Sequence, residues 1–307
     1  MKTIDGIVPV MLTPFTEQND VDYPGLAKLI DWYIDKNVDA LFAVCQSSEM
    51  QFLSLEERVA VARFVVEHVQ GRIPVIASGH ISDDLNAQVE ELSAMAETGI
   101  DALVLVTNHL DPQKAGSDTF FANLNHLLDA LPKTLPLGLY ECPAPYRRLL
   151  SDEELTYCAN TGRFVVLKDV SCDLATVTRR VELVQGTPLN IINANAAIAF
   201  PAMKAGSRGF SGVFTNFHPE LYVWLYHHYQ ENPALADELA DFLSLAAVTE
   251  TLGYPKNAKV YHQRLGTFTS IQCRVNKDDV LEKHWGLTVI LDQIRHGTEH
   301  YQKKITR

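Results

Sequence analysis

Apolar residues are distributed along the chain in two alternating ways. Short continuous runs, such as Phe164-Val165-Val166-Leu167, are separated by longer stretches in which apolar residues return at helical spacing. A continuous run of this length predicts a strand buried on both faces, as in a parallel sheet. Such runs fall at about 7–12, 40–45, 74–79, 102–107, 136–142, 164–169, 189–194 and 209–214, eight in all. Between them Leu26, Leu29, Ile30, Tyr33 and Ile34 share one helical face, and Val59, Val61, Ala62, Val65 and Val66 a broader one.

The junctions recur. Asn37-Val38-Asp39-Ala40-Leu41 has the same form as Gly99-Ile100-Asp101-Ala102-Leu103, and Arg72-Ile73-Pro74-Val75 returns as Thr134-Leu135-Pro136-Leu137 and Gly186-Thr187-Pro188-Leu189. Gly or Asn closes a helix by adopting the left-handed conformation, and Pro is tolerated at the first residue of a strand. Strand and helix thus alternate, which predicts an α/β fold, a (β/α)8 TIM barrel over residues 1–232. A doubly wound sheet would carry a Gly-rich turn after its first strand, where this chain has Thr13-Pro14-Phe15. Residues 233–307 show helical spacing without strong strands, broken at Gly253-Tyr254-Pro255 and near Gly266. They are expected to form a C-terminal helical extension packed on the barrel or a subunit contact.

Composition narrows the function. A formal net charge of -12 over 307 residues argues against a nucleic-acid or anionic-membrane surface and leaves small molecules and copies of the chain itself as expected partners. The opening MKTIDGIVPVMLTPF has Asp5 and prolines where a signal peptide needs an unbroken apolar stretch, so the cytoplasm is the expected location. Five cysteines without C-x-x-C pairing suggest neither a disulfide framework nor a zinc site.

Barrel enzymes carry their chemistry at the C-terminal ends of the strands. The sixth run delivers Lys168 and the fifth delivers Tyr140, so consecutive strands bring an amine and a phenol together. A buried lysine loses affinity for its proton, which makes the amine nucleophilic toward carbonyls. A structural ion pair between Lys168 and Asp169 or another carboxylate is the alternative reading. The second run ends in Cys45-Gln46-Ser47-Ser48-Glu49, a turn whose hydroxyls and free N–H groups would suit a carboxylate or simply cap the following helix. Asn195 follows the seventh run, and Ser211 lies in the eighth.

In this order the motifs resemble the dihydrodipicolinate synthase and N-acetylneuraminate lyase family of pyruvate-dependent class I aldolases. The resemblance rests on Gly6 to Phe15, the serine turn with Glu49, Tyr140-x-x-Pro143, the strand carrying Lys168, Gly209 to Asn216 followed by Pro219-Glu220, and Tyr254 to Lys259. It implies a Schiff base on Lys168, proton transfer by Tyr140 and a 2-oxo acid carboxylate held by Ser47 and nearby N–H groups. A backbone carbonyl at Ser211 would face the pyruvyl unit. No metal or cofactor is implied, and a homotetramer is.

The chain also departs from the family pattern. Gln46, Ser47 and Ser48 stand where the synthase branch has two threonines and a glycine, and an amide does not pass protons as a hydroxyl does. Thr107-Asn108-His109 stands where the synthase relay has a second tyrosine, so His109 is a candidate replacement. Pro145 occupies the position of the arginine that grips a second carboxylate, with Arg147 and Arg148 displaced from it. The expected substrate is therefore a 2-oxo acid, pyruvate or a 2-oxo-3-deoxy sugar acid, undergoing aldol chemistry or dehydration. Gln46, Ser48, His109, Glu141 and Asn195 are candidates for its binding. Dihydrodipicolinate synthesis and a non-catalytic 2-oxo-acid-binding barrel remain as alternative readings.

Overall fold

A computed structural model of the protein describes residues 3–306. Its strands are β1 (Gly6–Ile7), β2 (Leu41–Phe42), β3 (Val75–Ala77), β4 (Ala102–Val106), β5 (Leu137–Tyr140), β6 (Phe164–Asp169), β7 (Asn190–Asn193) and β8 (Gly209–Phe210). Eight helices accompany them: α1 (Tyr23–Asp35), α2 (Leu55–Val69), α3 (Leu85–Ala96), α4 (Ser117–Ala130), α5 (Asp152–Asn160), α6 (Leu174–Leu183), α7 (Ala199–Lys204) and α8 (Pro219–His228). All neighbouring strands pair in parallel, in the order β1-β8-β7-β6-β5-β4-β3-β2. The remaining seam closes through a parallel bridge between Val10 and Phe42, where Phe42 N donates to Pro9 O at 2.9 Å and Met11 N to Phe42 O at 3.1 Å. The fold is the (β/α)8 barrel that the alternation predicts.

Most paired segments are shorter than the apolar runs that announce them. The run at 102–107 ends its pairing at Val106 because Thr107–Leu110 winds into a 3₁₀ turn, and residues 46–48 do the same after β2. Burial carries the apolar pattern past the last ladder bond, so periodicity alone overestimates strand length.

The recurring junctions have a physical meaning. Asp39, just before β2, accepts from Ile7 N at 2.7 Å, and Asp101, just before β4, accepts from Val75 N at 2.9 Å. In each case a carboxylate ties the entry of one strand to the preceding strand. Gly209 is required at the β1–β8 seam, since a Cβ there would lie 1.8 Å from Gly6 O.

The C-terminal segment forms α9 (Pro233–Ala246), a 3₁₀ turn (Ala247–Thr251), α10 (Lys256–Arg264), α11 (Val280–Lys283) and α12 (Leu287–Ile305). Leu239, Leu243, Leu287 and Leu291 are buried in the same apolar cluster as the barrel residues Leu221 and Leu225. Among the described residues no helix is long and apolar enough to cross a membrane.

Candidate active site

Side chains alternate between the two faces of a strand, so Lys168 and Asp169 at the end of β6 point in opposite directions. Tyr140 pairs with Lys168 in the β5–β6 register, which sends both side chains into the barrel. The ammonium nitrogen of Lys168 lies 4.3 Å from the Tyr140 ring centre and 5.7 Å from that of Phe42. Beneath it Val8, Ile76, Val104, Val166 and Ile192 form an apolar floor.

Outside the barrel wall, Arg180 of α6 takes the acidic residues that follow the two inward-facing groups. It binds Glu141 through Nη1 at 2.9 Å and Nη2 at 2.7 Å, and it pairs with Asp169 through Nη1. All three side chains are buried. Glu141 also accepts from Leu150 N at 2.8 Å and Val170 N at 3.0 Å. Asp169 is thus Arg180's partner, and Lys168 forms no ion pair among the described residues. Burial lowers its pKa, partly offset by the Cys45 and Cys142 thiols and the Glu250 carboxylate. Burial likewise pushes the Tyr140 phenol well above its usual range, reinforced by Cys142 and Cys45. An amine that burial makes easier to deprotonate, beside a protonated phenol, can attack a carbonyl and have the departing oxygen protonated.

Lys168 and Tyr140 open into a cavity of about 810 Å³. Gln46, Ser47, Asn195 and Ser211, all anticipated, are on its wall. Gln46 Oε1 accepts from Tyr140 at 3.3 Å and from the Cys142 thiol at 3.5 Å. Ser211 donates to Val8 O at 2.8 Å, and Asn195 Oδ1 caps Ala197 N and Ile198 N.

Three anticipated contacts fall elsewhere. The Ser48 hydroxyl faces Met11 O at 2.7 Å and Ala43 O at 3.0 Å and accepts from Cys45 N at 3.2 Å, so it braces the turn after β2 instead of lining the cavity. His109 packs edge-on against His80 and pairs with Asp83 at 2.9 Å, outside the cavity wall. Glu141 is the buried partner of Arg180, because its place one residue past Tyr140 turns it to the opposite side of the sheet.

Of the two displaced arginines, Arg147 lines the cavity and donates to Val170 O at 3.2 Å. Arg148 is held by Asp111 and Glu154, at 3.2 and 2.7 Å. The C-terminal segment adds Ser244, Glu250, Tyr254 and Val275 to the wall. None of them is among the residues the sequence marks as site candidates; its signals for this segment are the helix break at Gly253-Tyr254-Pro255 and the Tyr254 to Lys259 motif. A buried ion pair between Glu49 and Lys259 joins the turn after β2 to α10, and Glu49 also accepts from Arg274 N at 2.6 Å and Val275 N at 2.8 Å.

The model of the dihydrodipicolinate synthetase family matches residues 3–276. The chain belongs to this family, and it is a class I, Schiff-base-forming lyase. It is 30% identical over 215 residues to a 4-hydroxy-tetrahydrodipicolinate synthase of Clostridium perfringens, covering 70% of this chain and 72% of the relative. Its fold matches the dihydrodipicolinate synthase DapA-2 of Bacillus anthracis with a TM-score of 0.85 at 22% identity, over 95% of this chain and 99% of that one. It also matches YagE, a prophage protein of Escherichia coli K12 solved in complex with pyruvate, with a TM-score of 0.85 at 24% identity and the same coverage.

Proposed function

We propose that Lys168 forms the Schiff base with the ketone of a 2-oxo acid and that Tyr140 serves as the general acid and base. The carrying observation is that the Lys168 amine is buried against Tyr140 while Arg180 binds the carboxylate of Asp169. Attack of the neutral amine on the ketone carbon gives a carbinolamine, and Tyr140 protonates its hydroxyl as water departs. The resulting iminium accepts an electron pair, either from the bond to the third carbon's substituent in aldol cleavage or from a C–H bond at that carbon before a hydroxyl is eliminated. Gln46 holds the Tyr140 phenol in place, and Ser47 binds the substrate carboxylate. Asn195 and Arg147 face the distal end, where a 2-oxo-3-deoxy sugar acid presents its hydroxyls.

The assembly in this reading is a homotetramer acting in the cytoplasm. His109, buried against His80 and paired with Asp83 of the same chain, takes no part in this reading.

Arg147 on the cavity wall favours a second reading, condensation of pyruvate with aspartate semialdehyde, because a guanidinium can bind a second carboxylate. The Glu250 carboxylate on the same wall opposes it by repulsion. A panel of 2-oxo-3-deoxy sugar acids, assayed for pyruvate release and for dehydration, is compared with pyruvate plus aspartate semialdehyde. Turnover of sugar acids with no semialdehyde condensation supports the first reading, and the converse replaces it with the second.

A further inference from the structure

A hydrogen-bond chain enters the cavity from behind the barrel, and its direction is fixed by its middle member. Asn216 Nδ2 lies 2.9 Å from Val10 O, 3.2 Å from Val213 O and 3.1 Å from the Tyr254 phenol oxygen. The two carbonyl oxygens can only accept, which places the amide nitrogen on that side. Asn216 Oδ1 faces the buried phenol of Tyr33, which must donate to it. The amide is therefore held from both ends, and the Asn216 backbone carbonyl is held in turn by His262 Nε2 at 2.9 Å.

An amide nitrogen cannot accept a hydrogen bond. At the Asn216 contact the Tyr254 oxygen is consequently the acceptor, and its own proton is directed away from Asn216. Tyr254 lines the cavity that holds Lys168, and Ser47 lies on the same wall. Burial raises the phenol's pKa well above the usual range, so the proton stays on the oxygen. An amide in the chain also prevents proton shuttling, which leaves a fixed donor.

We infer that Tyr254 is a further binding residue, a locked hydrogen-bond donor that acts with Ser47 on the carboxylate of the 2-oxo acid. The inference rests on the 2-oxo acid reading above and adds to it a contact from the C-terminal segment. The Tyr254 proton, directed away from Asn216, and the Ser47 hydroxyl are the two donors presented to the anion.

The test is Tyr254→Phe, which keeps the ring and removes the hydroxyl. Adducts of pyruvate and of methyl pyruvate, whose ester carries no charge, are trapped with borohydride over a range of concentrations. For pyruvate the half-saturating concentration should rise roughly tenfold or more, since hydrogen bonds to charged groups are the stronger class. For methyl pyruvate it should change less than about threefold, and kcat should change less than KM. Asn216→Asp places an acceptor behind the phenol, draws its proton inward, and should weaken pyruvate binding with Tyr254 still present. If that variant does not fold, the comparison of acid with ester in Tyr254→Phe decides alone. Equal weakening toward acid and ester, or an unchanged response to pyruvate, overturns the inference while leaving the Schiff base intact. Failure of the unsubstituted protein to trap pyruvate overturns the underlying reading instead.

Discussion

Arg180 binds Asp169 on the outer side of β6, one residue beyond the inward-facing Lys168. The same guanidinium holds Glu141, one residue beyond Tyr140. Two groups that meet in the cavity are thus backed by one cation behind the wall. Removing the cation alone strands two buried carboxylates, which costs about 3–5 kcal/mol. Arg180→Met should therefore lower the denaturation midpoint markedly, whereas Arg180→Met with Glu141→Gln and Asp169→Asn should recover much of the loss. Chemical denaturation of the two variants checks this.

Tyr140→Phe removes the phenol hydroxyl and leaves the ring beside Lys168. General acid–base help is worth about 10²- to 10⁴-fold, so kcat should fall within that range. Pyruvate affinity should change far less. Steady-state kinetics read alongside borohydride trapping separate the two effects, and an unchanged kcat would remove Tyr140 from its assigned role.

Burial lowers the Lys168 pKa, and the Glu250 carboxylate works against that lowering. The reactive form is the neutral amine, so the rate of Schiff-base formation should rise with pH through the lysine pKa and level off above it. Glu250→Gln removes the opposing charge and should move this rising limb to lower pH. A pH profile of adduct formation for the two proteins measures the shift, and a limb displaced upward would contradict the electrostatic assignment.

Ser47 and Ser48 are adjacent in the chain and have different surroundings. Ser48→Ala removes a hydroxyl that faces two buried carbonyls, at a cost of about 1–3 kcal/mol, and should leave KM for the 2-oxo acid nearly unchanged. Ser47→Ala should raise KM with a smaller effect on stability. Thermal denaturation and kinetics on both variants test the division.

Much of this was legible in the sequence, and the misreadings have physical causes. The barrel followed from alternating buried runs and helical faces, and Lys168 and Tyr140 followed from their places at strand ends. The strict period of two along a strand also separates Lys168 from Asp169 and Tyr140 from Glu141, so the ion-pair alternative with Asp169 and the distal role for Glu141 conflict with strand geometry itself. The difference between Ser47 and Ser48 depends on a 3₁₀ turn, and no periodicity encodes which hydroxyl such a turn directs inward. The placement of His109 depends on Asp83 and His80, both on or after β3 and distant in sequence. Tyr254 enters the cavity through the packing of the C-terminal segment across the barrel mouth, a tertiary contact that local pattern does not announce.

Everything proposed for the cavity depends on Schiff-base formation at Lys168, which borohydride trapping reads out. The protein is incubated with pyruvate, reduced with borohydride, digested and analysed by mass spectrometry, with Lys168→Ala treated in parallel. A reduced pyruvyl adduct should appear only on the peptide containing Lys168 and be absent from the variant. No adduct with pyruvate or longer 2-oxo acids, or an adduct that persists in Lys168→Ala, would remove Lys168 from that role.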